Sequence, residues 1–320
     1  MITAKTYELA EILLPMLRFL PAPLKILINF LWGCLATTVI AVAIILLGIL
    51  RIVPIRPWQR LVASLANGLF RLWGYAVTAM FNLTQKTIWQ IEGGVELRRD
   101  GWYMIMANHL SWVDILVLMR LAHKDMPMPR FFLKQELFWV PFIGFGCWVL
   151  DMPFMKRYSR QLLEKKPHLK GKDIETTRRS CEKFKTLPTT VINFCEGTRF
   201  TEKKRAQKHS PYQHLLPPKA GGTAFTLQAM EGNFDAILDI TIVYPERNPD
   251  KPLVIDFLAG RLRHIHLHID ALPATDDLVG DYFNDVAFKE HFQSWLNTRW
   301  ELKDQRIENI MQSHRSQAQR

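Results

Sequence analysis

The stretch Tyr103–Leu116 reads YMIMANHLSWVDIL and combines the signals of a strand, a turn and a helix. Its first five residues form a short apolar run, which predicts a buried strand. An Asn-His pair follows and is typical of a turn. Ser111 stands three residues before Asp114, which matches a helix-opening capping pattern and predicts a helix from Ser111 to about Ala122. A strand that leads through a turn into a helix indicates an α/β fold.

The same turn and helix start also suggest acid–base chemistry. On a continuous helix, residues five apart point roughly 140° away from each other, so His109 and Asp114 would not meet. If Ser111 caps the helix, His109 lies in the turn before it and Asp114 in the first helical turn, within reach of the imidazole. A carboxylate there fixes the imidazole tautomer and leaves the other ring nitrogen free to accept a proton. The spacing is therefore compatible with a general base, and equally with a structural histidine at an ordinary helix start.

The chain carries an excess of positive charge. Its 320 residues are 48% hydrophobic, which is ample for a core, and 41 Lys and Arg against 30 Asp and Glu give a net charge of +11. Such an excess suits an anionic partner, which could be nucleic acid, a lipid surface or a phosphorylated substrate. The cysteines are scattered without a C-x-x-C pair, which favours reduced, packed thiols over a disulfide framework or a zinc site; they are Cys34, Cys147, Cys181 and Cys195.

The N-terminal part of the chain predicts a membrane anchor. Ile26–Leu50 contains no charged residue and is long enough for a helix to cross the roughly 30 Å hydrocarbon core of a bilayer. Three arginines follow within ten residues, as is typical of a membrane interface. The alternative for this segment is a buried core helix. Leu61–Leu83 is also apolar but interrupted, and it suits a second membrane helix, a re-entrant arm or an amphipathic helix.

The composition divides the chain into an anchoring segment over residues 1–83 and an α/β domain over residues 84–320. Strands alternate with helices in the second part, which predicts a mixed β-sheet flanked by helices. Strands are predicted at 87–91, 102–107, 130–134, 154–157, 189–194, 236–244, 253–258 and 263–269, with further helices at 174–187, at 222–230 and in a charged tail from residue 281.

A second chemical candidate, Glu196-Gly197-Thr198-Arg199, directly follows the β-branched strand at 189–194. Glycine lets the backbone approach a ligand closely, and arginine offers a fork of donors for phosphate oxygens. Taken alone, the tetrapeptide also fits an ordinary surface turn.

Two further patterns favour less specific interpretations. His264, His266 and His268 share one face of a strand, but alternate residues lie about 7 Å apart, so a polar outer face is favoured over a zinc site. The basic loops at 156–172 and 203–208 lack interleaved aromatic residues and match no nucleic-acid-binding motif. Beside a membrane anchor, these loops indicate contact with anionic lipid headgroups or ligand phosphates.

An ordered set of sequence blocks resembles the glycerolipid acyltransferases of the 1-acylglycerol-3-phosphate acyltransferase, PlsC-type family. NHLSWVD (108–114) resembles their NH-x4-D block, and FCEGTRF (194–200) resembles their EGTR block. Two departures concern the acceptor: Phe200 replaces the usual serine, and Lys156 replaces a small or acidic residue. The block with Phe200 resembles that of the branch that includes lysocardiolipin and lysophosphatidylinositol acyltransferases. The remaining matching blocks are MPFMKR (152–157), LLPPKAGG (215–222) and ITIVYP (240–245).

The resemblance implies a role for each matching residue. His109 would be the general base and Asp114 its partner, while Arg157 would assist in binding the acceptor phosphate. The residues expected to bind that phosphate are Glu196, Gly197, Thr198 and Arg199.

The resemblance also implies a reaction at a membrane surface. The acceptor hydroxyl would attack an acyl thioester, either acyl-CoA or acyl-carrier protein, with backbone N–H groups near Ser111 stabilising the oxyanion. No metal, no cofactor and no nucleic acid are expected. The expected acceptor is 1-acylglycerol-3-phosphate, giving phosphatidic acid; the alternatives are another lysophospholipid or a non-catalytic membrane scaffold. The catalytic domain is expected to face the cytosol, at the inner membrane if the protein is bacterial.

Overall fold

The computed structural model describes residues 17–94, 96–131, 133–140, 143–152, 154–155 and 187–318. In these ranges the helices are α1 Ala22–Leu50, α2 Arg56–Thr84, α3 Val113–Asp125, α4 Ile143–Val149, α5 Glu202–Gln207, α6 Ala220–Ala229, α7 Leu253–Leu258 and α8 Val286–Ala318. The strands are β1 Ile88–Glu92, β2 Trp102–Ala107, β3 Pro129–Phe131, β4 Leu133–Lys134, β5 Phe154–Met155, β6 Thr189–Phe194, β7 Ala236–Val243 and β8 His264–Leu272. Short 3-10 turns occupy Gln135–Trp139 and Asp276–Leu278.

Six of these strands form a mixed sheet in the order β1-β8-β7-β2-β6-β3. The four strands β7, β2, β6 and β3 run parallel, whereas β8 is antiparallel to β7 and parallel to β1. Strands β4 and β5 form a separate parallel pair. The mixed α/β fold predicted from the sequence is therefore confirmed.

Strand β2 shows how the sheet separates two hydrophobic layers. Tyr103 and Ile105 point to the face covered by α2 and α3, while Met104 and Met106 point to the face covered by α6 and α8. Both faces are buried, which explains why β2 reads as a continuous apolar run instead of an alternating one.

The two N-terminal helices have different environments. Among the described helices, only α1 is long and apolar enough to cross a membrane. Its outward side chains are largely exposed, with Leu31 at 55%, Leu35 at 64% and Leu46 at 58%. In contrast, α2 contributes Val77 and Phe81 to the core shared with β2 and α3. A boundary at residue 84 therefore does not separate an independent core, because α2 completes the core of the α/β domain.

The segment 253–258 forms helix α7, so the prediction of a strand there was wrong. Pro252 occupies the N-cap, and Leu253 and Phe257, four residues apart, are the buried positions of the helix. A six-residue apolar run does not distinguish a strand from a helix by periodicity. The strand predicted at 130–134 is divided between β3 and β4, which belong to different sheets. The helix predicted at 174–187 lies outside the described residues except for its last position.

The charged tail forms one long helix, α8, which is anchored into the core. Trp300 and Lys303 are fully buried. The Lys303 ammonium lies 2.6 Å from the Asp239 carboxylate of β7 and donates to the Ile240 carbonyl at 2.7 Å. Arg299 extends the ion-pair network to Asp239 and to Asp270 of β8. Part of the charge that marks this tail in the sequence therefore belongs to ion pairs with the sheet.

Candidate active site

Residues from three loops meet at one edge of the sheet, among them His109 and Glu196, which the sequence singled out. His109 follows β2, Glu196 follows β6 and Tyr244 follows β7. These three strands are parallel, so their carboxyl ends converge and the loops that follow them share one surface. The His109 carbonyl accepts a hydrogen bond from the Phe200 N–H at 2.7 Å, which ties the loop after β2 to the loop after β6.

His109 and Asp114 form the pair predicted from their spacing. The His109 Nδ1 atom lies 2.8 Å from the Asp114 Oδ2 atom. The imidazole also stacks on the Phe194 ring, with 4.1 Å between centroids and 18° between planes. Asp114 is completely buried, whereas the His109 side chain remains 15% exposed. The Nε2 atom of His109 is therefore the nitrogen available to a substrate.

Asp114, and not Ser111, organises the start of α3. Its Oδ2 atom accepts the N–H groups of Leu110 at 2.6 Å and Ser111 at 2.8 Å. The N-cap of α3 is Trp112, which makes no side-chain capping bond, so the prediction that Ser111 caps the helix was wrong. The Ser111 hydroxyl instead accepts the Val113 N–H at 3.3 Å. These three N–H groups are engaged within the protein, which removes them as the expected oxyanion donors.

Tyr244 completes the environment of the buried carboxylate. Its hydroxyl donates to the Asp114 Oδ1 atom at 2.7 Å. Burial, together with the neighbouring Asp114 charge, raises the pKa of Tyr244 well above its usual value, so the phenol stays protonated and donates. Tyr244 was not predicted as a site residue, although ITIVYP (240–245), one of the matching blocks, contains it.

The Glu196 carboxylate is buried and accepts hydrogen bonds from backbone N–H groups. It accepts the His109 N–H at 3.0 Å and the Leu216 N–H at 3.3 Å. Burial raises the pKa of Glu196 to about 8, and the two backbone hydrogen bonds oppose that rise. Direct binding of a substrate phosphate was expected here, but a buried acidic side chain that contacts backbone is better placed to position the His109 loop.

The rest of the EGTR loop forms an open turn. Gly197 has a φ of +65°, and a Cβ atom there would lie 3.0 Å from the Lys219 side chain, so this position favours glycine. The Thr198 hydroxyl accepts a hydrogen bond from the Lys204 ammonium at 2.8 Å. Arg199 is exposed, and its guanidinium lies 5.1 Å from the Trp112 ring centroid. Arg157 lies outside the described residues, so its expected role stays a prediction.

Four cations surround this turn and form what we call the cationic patch: Arg199, Lys204, Lys219 and Arg247. The Lys204 ammonium also donates to the Arg199 carbonyl at 2.9 Å, and the Arg247 guanidinium lies 5.9 Å from the Phe200 ring centroid. Among the described residues, no carboxylate forms an ion pair with Arg199. Lys219 and Arg247 were not predicted as site residues. Lys219 belongs to the LLPPKAGG block, whereas Arg247 carries no sequence signal.

Cys195 is excluded as a nucleophile at this site. The thiol is buried behind the EGTR loop, and burial raises its pKa to about 12, so it stays protonated at neutral pH. The site therefore presents a histidine–aspartate pair and cations, but no activated protein nucleophile among the described residues. This arrangement can remove a proton from a hydroxyl on an anionic substrate.

The three alternating histidines of β8 do not share one site. His266 lies 3.1 Å and His268 3.5 Å from the Glu92 carboxylate of β1, while His264 lies 3.1 Å from Glu246. His264 thus has a different carboxylate partner from His266 and His268, which agrees with the interpretation that the three line a polar strand face.

Comparison with known proteins finds sequence similarity to acyltransferases. The acyltransferase family model matches residues 89–245, which include His109, Asp114 and the EGTR loop. Residues 89–245 are therefore similar to this acyltransferase family.

Curated relatives agree with that family. The chain is 26% identical over 219 residues to 1-acyl-sn-glycerol-3-phosphate acyltransferase epsilon of Mus musculus, covering 62% of this chain and 55% of the relative. It is 28% identical over 230 residues to lysocardiolipin acyltransferase 1 of Mus musculus, covering 67% of this chain and 55% of that relative. The chain thus spans about half the length of the curated relatives it matches. The crystal structure of PlsC from Thermotoga maritima aligns with a TM-score of 0.46 and 18% identity, over 87% of this chain and 98% of that chain.

Proposed function

We propose that this protein transfers a fatty acyl group from an acyl thioester to the free hydroxyl of a lysophospholipid. The observation that carries the proposal is the His109–Asp114 pair beside the cationic patch, at the open edge of the sheet. A base without a protein nucleophile suits a reaction in which the acceptor hydroxyl itself attacks. The matched family and the names of the relatives support the same chemistry.

The proposed step transfers one proton and one acyl group. The Nε2 atom of His109 removes the acceptor hydroxyl proton while the hydroxyl oxygen attacks the thioester carbonyl. The tetrahedral intermediate collapses and expels the thiolate, which takes the proton from the imidazolium. Asp114 stabilises the imidazolium and fixes the ring orientation. This scheme needs no metal and no cofactor, and the thiol product is CoA or acyl-carrier protein.

We propose 1-acylglycerol-3-phosphate as the acceptor, giving phosphatidic acid. The cationic patch suits a terminal phosphate, because guanidinium and ammonium groups form charge-assisted hydrogen bonds with phosphate oxygens. Another lysophospholipid, such as a lysophosphatidylinositol or lysocardiolipin, is the second candidate, favoured by Phe200 and by the lysocardiolipin acyltransferase relative. A panel of these acceptors with one labelled acyl-CoA separates the two. The highest kcat/KM is expected with 1-acylglycerol-3-phosphate, and a higher value with either of the other acceptors would contradict this assignment.

Arg199→Lys is expected to weaken saturation by the acceptor by about ten- to a hundredfold. Lysine keeps the charge but loses the paired hydrogen bonds of the guanidinium, and hydrogen bonds to charged groups contribute about 1.5–3 kcal/mol. Steady-state kinetics with each substrate varied in turn measure the effect, and the KM for the thioester should stay unchanged. Arg98→Lys is the matched control, because Arg98 precedes β2 at the opposite edge of the sheet and pairs with Asp100. A rise only in the thioester KM would assign Arg199 to CoA instead.

The protein is expected to stay with membranes through high-salt and carbonate washes. The exposed face of α1 binds lipid by apolar burial, which salt does not screen. Deleting the whole N-terminal segment would also remove the core residues of α2. A sharper test of the anchor replaces Leu31, Leu35 and Leu46 of α1 by serine. Each buried leucine contributes about 1.5–3 kcal/mol, so this variant should be released by carbonate. Val286→Ser, an exposed change on α8, should leave binding intact. Release of the wild-type protein by salt alone would contradict the proposed membrane anchor.

A further inference from the structure

Three potential metal ligands from distant parts of the sequence converge beside the polar end of β8. Glu246 follows β7, His264 begins β8 and His314 lies in the last turns of α8. The Glu246 Oε1 atom lies 3.1 Å from the His264 Nδ1 atom and 3.6 Å from the His314 Nε2 atom. All three ligand atoms lie within 4.8 Å of one another. Two imidazoles thus share one carboxylate oxygen.

We propose that Glu246, His264 and His314 bind a divalent metal ion of the zinc class. Ligand atoms around a tetrahedral zinc ion at about 2.1 Å are separated by about 3.4 Å, close to the two distances seen here. Two imidazole nitrogens with one carboxylate favour zinc over magnesium or calcium, which prefer all-oxygen sites. Water would complete the coordination. The inference is independent of the acyl-transfer proposal, because none of these residues belongs to the His109–Asp114 pair.

The position of the ligands indicates what the ion would do. The central part of α8 is anchored by Lys303 and Arg299, but His314 lies beyond them, near the end of the helix. Ile310 and Met311, which precede His314, pack against the core but are just partly buried. A shared ion would hold the last turns of α8 against the segment after β7. That segment also carries Tyr244, two residues before Glu246.

The surrounding charges set the expected affinity. Glu246 and His264 border a hollow of about 370 Å³ that is also lined by four cations: Arg247, Lys251, Arg261 and Arg263. Positive charges near the ligands oppose a divalent ion, although Asp256 lines the same hollow and offsets part of that repulsion. The expected affinity is therefore micromolar, weaker than that of a site enclosed by four protein ligands.

Calorimetric titration of the chelator-treated full chain in detergent with zinc chloride tests the site. One equivalent should bind, and at a free concentration about a hundredfold above Kd the Tm should rise by roughly 5 °C. His264→Ala and His314→Ala should each weaken binding by at least about tenfold. His291→Ala is the matched control, because His291 is exposed on α8 and pairs with Asp277, away from the three proposed ligands. It should bind zinc like the wild type.

Hydrogen exchange locates the bound ion. Zinc should slow amide exchange over residues 308–318 in the wild type and in His291→Ala, but not in His314→Ala. Absence of binding at micromolar zinc, or equal affinity in the wild type and in both ligand variants, would overturn the proposal. Neither readout depends on acyl transfer, so this site and the proposed function fail separately.

Discussion

His109→Ala is expected to fold and bind membranes normally while transferring acyl groups about 10²–10⁴-fold more slowly, the contribution that general base catalysis typically makes. The imidazole is partly exposed and stacks on a single ring, so its removal opens a small gap at the surface of the site and not in the core. The two substrates should still saturate the enzyme normally, and kcat should carry the loss.

Circular dichroism and the Tm establish that the His109→Ala protein is folded. His209→Ala is the matched control, because His209 is an exposed residue in the turn after α5. That control should retain full turnover. Near-normal turnover in His109→Ala would show that His109 is not the general base.

Asp114→Asn is expected to lower kcat by about the same factor, 10²–10⁴-fold, because the imidazolium of His109 loses its stabilising carboxylate. An amide cannot stabilise the positive charge that His109 acquires. In the wild type, the Leu110 and Ser111 N–H groups donate to the Asp114 Oδ2 atom. The NH2 group of an asparagine cannot accept these hydrogen bonds. A fall in Tm should therefore accompany the loss of kcat.

Tyr244→Phe separates the catalytic loss from the structural one. It removes one hydrogen bond to Asp114 Oδ1 and leaves the carboxylate charge in place. An unsatisfied buried acceptor costs about 1–3 kcal/mol, so this variant should lose stability but retain more turnover than Asp114→Asn. If Asp114→Asn kept most of the wild-type kcat, the carboxylate would serve only to shape the loop.

The contact between His109 and Asp114 could be predicted because it is local. His109 and Asp114 lie within one strand–turn–helix unit, where capping geometry and chain reach limit the arrangements. The prediction still missed a detail, since the Asp114 carboxylate takes the capping role assigned to Ser111. Tyr244 and Lys219 reach the site from segments more than a hundred residues away, and only the order of the parallel strands brings them there.

Other errors have physical causes of the same kind. The run at 253–258 is too short for periodicity to decide between strand and helix. The sequence predicted a charged helical tail, but it did not reveal that Lys303 of α8 pairs with Asp239 of β7 in the core. For Leu61–Leu83 the sequence left three arrangements open, and α2 is amphipathic, with an apolar side that completes the domain core.

The most direct test of the account measures product and thiol together. The purified wild-type protein in mixed micelles receives labelled acyl-CoA and 1-acylglycerol-3-phosphate, and the free thiol and the labelled phosphatidic acid are quantified at each time point. The account predicts one thiol released for each acyl group transferred, and no thiol release above background without acceptor. Thiol release that is independent of the acceptor and yields free fatty acid would show that water is the nucleophile, which would contradict acyl transfer.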